Sequence, residues 1–277
     1  MFWLPGATTF VLSGKSSFRL PSMLRLSATP SILLTLAWLL SATHLLAASP
    51  SDEAGPNHKQ AWLTLQVQQD FPWLMGSDVC SAREQLQGGF SCFRSNGTQY
   101  HGTPQRGLGG KLDGGLTLGT NRGLLGAELG LVRNLTLGVR VGYAWLGAGP
   151  KSDGGDSFWP WHAELRGSYW SHPAGPAARK LVVFGHLGAG TAQIDGSINV
   201  PVVEDASAPP AANQLDNPPT QRLDAWKKLG SGFVALGGGA AIPLGEGVLG
   251  FGELRLLVLY PSSGAAMGLS LGCAFEL

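Results

Sequence analysis

The sequence predicts an all-β protein: an antiparallel up-and-down β-barrel that crosses a membrane, most simply with eight strands. Three observations predict it. Stretch after stretch alternates apolar with small or polar residues at a period of two, as β-strands do. The second face of those strands carries Gly, Arg and Glu, which suits the polar inside of a barrel whose greasy outside meets lipid. The composition agrees: 44% of residues are hydrophobic, only 13% are charged, and 41 of 277 are Gly. A soluble domain has about 25% charged residues and about 7% Gly. The net charge of +1 leaves no basic surface for nucleic acid.

The apolar run 31–48 follows Arg25 and ends in Ala47-Ala48. It reads as the core of a secretory signal peptide covering 1–48, with Met23 as a second candidate start. The competing reading is an uncleaved membrane anchor. Residues 49–59 are a polar lead-in to a barrel spanning 60–277.

The first strand, 61–71, alternates Leu63, Leu65 and Val67 with Thr64, Gln66, Gln68 and Asp70. Phe71, Trp73 and Trp62 stand near its ends, where aromatic girdles mark the membrane interfaces. Residues 74–112 form a long Gly-, Ser- and Gln-rich loop. It holds Cys80 and Cys92, which in an exported chain read as a disulfide. A pair of metal-binding thiols competes, but no His lies at ligand spacing.

The second strand begins near Gly115 and resumes with opposite parity at Leu125. A one-residue shift moves every side chain to the other face, so Thr120–Gly123 must hold a bulge or a turn. The bulge gives eight strands; a turn would give ten. The third strand, 135–147, follows a tight hairpin at Arg133-Asn134. On it Leu135, Leu137, Val139, Val141, Tyr143 and Trp145 oppose Thr136, Gly138, Arg140, Gly142, Ala144 and Leu146. The fourth, 159–170, sets Trp161, Ala163, Leu165, Gly167 and Tyr169 against His162, Glu164, Arg166, Ser168 and Trp170.

The fifth strand spans 180–200, and a Pro-rich loop fills 201–226. The sixth, 229–242, is nearly all Gly, Ala and apolar residues, so its facing cannot be assigned. The seventh, 248–260, carries Glu253 and Arg255 opposite Leu254 and Leu256. The eighth alternates Met267, Leu269, Leu271, Cys273, Phe275 and Leu277 with Gly268, Ser270, Gly272, Ala274 and Glu276. Short turns then share one rim with both termini, and long loops share the other.

This pattern resembles the small eight-stranded outer-membrane barrels of Gram-negative bacteria, the family of OmpA transmembrane domains and OmpX-like proteins. The resemblance covers roughly 60–277 and lies in pattern rather than motif. It implies an outer-membrane location, contact with outer-membrane lipid, and insertion by the barrel-assembly machinery. The C-terminal strand is similar to the signal which that machinery reads, with Phe275 and Leu277 at the key positions. The family ends in Phe, and this chain ends in Leu277.

Glu128, Arg140, Glu164, Arg166, Glu253 and Arg255 all fall on the interior face and are expected to form a charge network. A barrel of about eight strands is just wide enough for side chains to fill, so the network reads as a structural plug ahead of an ion or proton path. His162, Glu164 and Ser168 share one strand face, but His162 and Ser168 stand about 20 Å apart at ~3.4 Å per residue, too far for a triad. The single histidines form no metal set, and no cofactor is expected. The role expected is structural or interactive, through the two long loops, where Phe90, Phe93, Tyr100, His101 and Trp226 are candidate contacts for a surface partner. Three alternatives stay open: a narrow pore, a lipid-modifying enzyme and a soluble exported β-sandwich.

Overall fold

The period-two alternation is realised as a closed barrel. In the computed structural model, which describes residues 60–277 apart from 154, 156, 179 and 208–219, the order is β1 (Ala61–Gly76), α1 (Ala82–Gln87), β2 (Phe90–Phe93), β3 (Pro104–Gly109), β4 (Leu112–Leu116), β5 (Asn121–Val132), β6 (Leu135–Leu146), β7 (Trp161–Trp170), β8 (Val182–Glu204), β9 (Thr220–Gly245), β10 (Val248–Tyr260) and β11 (Gly264–Glu276). The expected signal peptide and polar lead-in lie outside the described residues.

Antiparallel pairing runs β1–β5–β6–β7–β8–β9–β10–β11 and closes back on β1. The barrel therefore has eight strands. A path through the paired residues Trp62, Glu128, Gly138, Arg166, Gly188, Ala235, Leu257 and Ala266 returns to β1 at Pro72, an advance of 72 − 62 = 10 residues. That stagger tilts the strands by about 40° to the barrel axis.

The parity break is a bulge. Gly119 N donates to Asp70 O and Asp70 N donates to Thr120 O, so two residues oppose one. Below it β5 pairs with β1, and above it β4 continues along the same edge with Trp73 opposite Leu116. The hairpin at Arg133-Asn134 is as tight as expected. Asn134 takes φ 67°, a left-handed conformation that Asn tolerates, and its Nδ2 donates to Trp170 O at 2.8 Å, tying the turn to β7.

The outer face is apolar. Leu65, Val67, Leu125, Val139, Val141, Leu165, Leu187, Leu254, Leu256 and Leu271 are all exposed. Tyr143 and Trp161 meet edge to face at one end of this band, and Trp73, Trp145 and Tyr260 are exposed at the same end of their strands. Tyr169 marks the other end. From Trp161 to Tyr169 is about 27 Å along β7 at ~3.4 Å per residue, or about 21 Å along the axis at ~40° tilt. A bilayer-spanning barrel needs an apolar band about 25 Å tall.

Several expectations need correcting. Trp62 is not in a girdle; it is buried inside the barrel, because it shares the parity of Thr64 and Gln66. The span 74–112 is not one loop: β1 runs on to Gly76, and α1, β2, β3 and the start of β4 follow. Nor is 201–226, since β8 reaches Glu204 and β9 begins at Thr220, paired to each other through Val203 and Thr220. The sandwich alternative fails because the sheet closes on itself. The facing of β9 is now plain: Phe233, Ala235 and Ala241 point inward, Val234, Leu236 and Ile242 outward.

Candidate functional site

Inside the barrel, residues of even parity on β1, β5, β6 and β7 meet residues of odd parity on β10 to make a charged layer. Arg122, Arg140, Arg166 and Arg255 are at most 2% exposed. Glu253 takes a bidentate pair from Arg140 at 2.8 and 2.9 Å and a third bond from Arg166 Nη1 at 2.9 Å. Arg166 Nε also lies 3.5 Å from Glu128, which accepts from Thr136 Oγ1. Arg255 donates to Glu164 at 2.6 Å and to Gln68. All six expected network residues thus meet in one lumen. Buried charge is costly unless it is paired and hydrogen-bonded; every one of these charges is paired, with Glu164 Oε1 and Arg255 Nε the two atoms that meet no protein partner.

Two further pairs went unforeseen. Arg122 donates to Asp70 through Nε at 2.9 Å and Nη2 at 2.6 Å. Its Nη1 lies 3.4 Å from His162 Nδ1. Arg can only donate, so Nδ1 accepts and His162 Nε2 carries the proton that it shares with Glu164 at 3.1 Å. Asp70 and His162 shared the polar parity of their strands, which is the signal that could have found them.

Glycines on the inner face give these side chains room. A Cβ at Gly138 would lie 2.7 Å from Glu128 Cγ, and one at Gly237 would lie 2.6 Å from His186 Cε1 and 2.7 Å from Arg255 Cβ. Glu128 faces Gly138, Arg166 faces Gly138 and Gly188, and Arg255 faces Gly237 and Gly268, so glycines make space for most of the long charged side chains of this narrow lumen.

Apolar layers close the charged layer at both ends. Toward the short turns, Trp170, Val182, Phe184 and Ala241 pack together, and Trp62, Leu249 and Ala274 form a second group beside them. Toward the long loops, Ile194, Leu229, Phe233, Leu257 and Leu259 fill the barrel and continue into a cap built from Val79, Phe90, Tyr100, Leu112, Val202 and Leu223. Segment 117–120 crosses the mouth, with Thr117 Oγ1 donating to Ser197 O and Gly119 bridged to Gly196.

The cap is a folded unit on a β8–β9 stem. β2 pairs with β9 and β3 with β8. Cys80 and Cys92 form a disulfide, and Lys227 Nζ sits 4.6 Å from the centre of the Phe90 ring. Tyr100 OH donates to Glu204; burial, with Glu204 beside it, pushes the phenol well above its usual range. The candidate contacts therefore divide. Phe90, Phe93 and Tyr100 are 2%, 3% and 0% exposed and serve as cap core, out of a partner's reach. His101 is exposed and pairs with Asp153. Trp226 is half-buried, its ring 2.6 Å from where a Cβ on Gly149 would lie. Phe275 is on the outer face of β11, Leu277 follows the strand's end and is exposed, and Cys273 is partly exposed between Leu271 and Phe275.

Replacing both Cys80 and Cys92 with Ser is expected to loosen the cap alone. The cross-link joins residues 12 apart, and one closing a loop of about that size is worth about 3 kcal/mol. Limited proteolysis should then cut within 77–112 while the barrel fragment persists; a wild-type digestion pattern would contradict this.

Among the described residues no group of His, Cys, Asp and Glu gathers as a metal site. Ser168 stands opposite His186 in the β7–β8 ladder, but its hydroxyl accepts from Arg166 at 3.1 Å, and both lie deep in the lumen.

No protein-family model matches the chain, and no curated protein matches it in sequence. Among solved structures, Neisserial surface protein A is 10% identical, with 78% of this chain and 97% of that one covered at a TM-score of 0.38. The N-terminal β-barrel domain of Pseudomonas aeruginosa OprF is 9% identical, with coverages of 79% and 100% and a TM-score of 0.32. Ail, the attachment invasion locus protein of Yersinia pestis in complex with a heparin analogue, is 7% identical, with 80% and 100% covered at 0.35. At these scores the likenesses add nothing to what the barrel itself shows.

Proposed function

We propose that this chain is an integral outer-membrane β-barrel that carries a rigid, sealed platform at the cell surface, with a structural or binding role exercised through the cap. The observation that carries this is the lumen: a charged layer of paired side chains closed by apolar layers at both ends, beneath a packed, disulfide-linked cap. That arrangement weighs against a pore, which needs a continuous polar path. It weighs equally against a lipid-modifying enzyme, because His162, Glu164, Ser168 and His186 are buried in the lumen, away from both lipid and solvent.

The outward apolar band, its aromatic ends and the division into a short-turn rim and a long-loop rim support a membrane location with the cap outside. Phe275 and Leu277 are the residues through which the barrel-assembly machinery would recognise the chain. A surface partner would meet the parts of the cap left open, among them Leu86, Leu108 and His101.

Lysine labelling tests the orientation. Lys111 and Lys151 lie on the long-loop side and Lys180 on the short-turn side, and all three are exposed. A membrane-impermeant amine reagent on intact cells should modify Lys111 and Lys151 but reach Lys180 only after the outer membrane is permeabilised. Equal labelling of all three on intact cells would overturn the proposal.

A further inference from the structure

Trp62 is an unexpected residue for a barrel interior. Its indole N–H is a donor that normally finds a partner when buried, and here Nε1 is buried with no protein acceptor. The other indole of this layer, Trp170, donates from Nε1 to Thr136 Oγ1 at 3.1 Å. Thr136 Oγ1 in turn donates to Glu128 Oε2 at 3.0 Å. Glu128 is paired directly with Trp62 across the β1–β5 ladder, both on the inner face.

Both line a small, partly open cavity of about 20 Å³, whose polar side is Thr64, Glu128, Arg140, Arg166 and Glu253 and whose remaining wall, from Trp170 and Phe184 to Leu249 and Phe251, is apolar. A water needs about 10–15 Å³ measured in this way, together with two or more polar partners. The volume therefore fits one water. The charges argue in the same direction. Two carboxylates and two guanidiniums line the space, so an anion would meet Glu128 and Glu253, and a cation would meet Arg140 and Arg166. A neutral group that both donates and accepts satisfies the walls.

We infer that this cavity is a binding site for a single internal water, which accepts from Trp62 Nε1 and donates to the Glu128 carboxylate. The water completes the chain Trp170–Thr136–Glu128–water–Trp62, linking the apolar layer at the short-turn end to the charged layer above it. Trp170, Phe184 and Leu249 form the apolar part of the cavity wall on the short-turn side.

The two indoles make an internal control. In the full chain refolded in detergent micelles and labelled with nitrogen-15, the Trp62 indole proton is expected to show a cross-peak to water and the Trp170 indole proton none. Glu128→Leu should remove the Trp62 cross-peak by deleting the acceptor. A Trp62 indole with no water cross-peak in the wild-type protein would overturn the inference, whether or not the variant folds. So would a Trp62 resonance that shifts with added bromide, which would make the site an anion site.

Discussion

Replacing Glu253 with Ala is expected to destabilise the barrel by about 3–5 kcal/mol, the cost of removing one partner of a buried ion pair. Glu253 is the hub of the lumen: it holds Arg140 through two bonds and Arg166 through a third, with all three side chains at most 1% exposed. Without it two guanidiniums are left with reduced pairing in a closed space, since Glu128 reaches only Arg166, at 3.5 Å. The urea midpoint of the refolded protein in lipid vesicles measures the effect. Arg140→Ala in the same background should cost less than it does alone, because it removes one of the stranded charges; neighbours in one network are not additive. A loss below about 0.5 kcal/mol for Glu253→Ala, the size of an ordinary surface substitution, would mean that the network does not form.

The second large effect is on the outside. Leu165 lies midway between Trp161 and Tyr169 on the outer face of β7 and is 55% exposed. In lipid, Leu165→Arg should cost about 2–4 kcal/mol, as for a cation at the bilayer midplane. Were the same face in water, the change would fall within about 0.5 kcal/mol. Leu86, 84% exposed on the cap, supplies the control: Leu86→Arg should be neutral. Equal and small effects at both positions would contradict a lipid-covered barrel.

The parts of the molecule that were legible in the sequence are those with a clean period of two and a contrast between faces. On β6, Leu137, Val139 and Val141 against Gly138, Arg140 and Gly142 state both the strand and its facing, and the six network residues follow from parity alone. The bulge was legible for the same reason, because an inserted residue inverts the alternation. β9 was not, because Gly and Ala predominate on both faces and its facing is set by Phe184, His186 and Arg255 on its neighbours. The cap was hidden by distance. Phe90 becomes core only because Lys227, 137 positions later by number (227 − 90), lies opposite it on a strand extended beyond the apolar band. A polar, Gly-rich stretch gives no local sign of such burial. Trp62 was misplaced for a different reason: an aromatic residue at a strand end suits a girdle or a plug equally well, and the parity it shares with Thr64 decides between them.

A closed barrel of residues 60–277 in the outer membrane has a direct signature. Cells expressing the full chain can be fractionated and the detergent-extracted outer membrane run on gels with and without boiling. Recovery in that fraction is expected, with a mobility that shifts on heating, as a folded barrel resists unfolding until boiled. Protein recovered in the soluble fraction, with the same mobility before and after boiling, would contradict it.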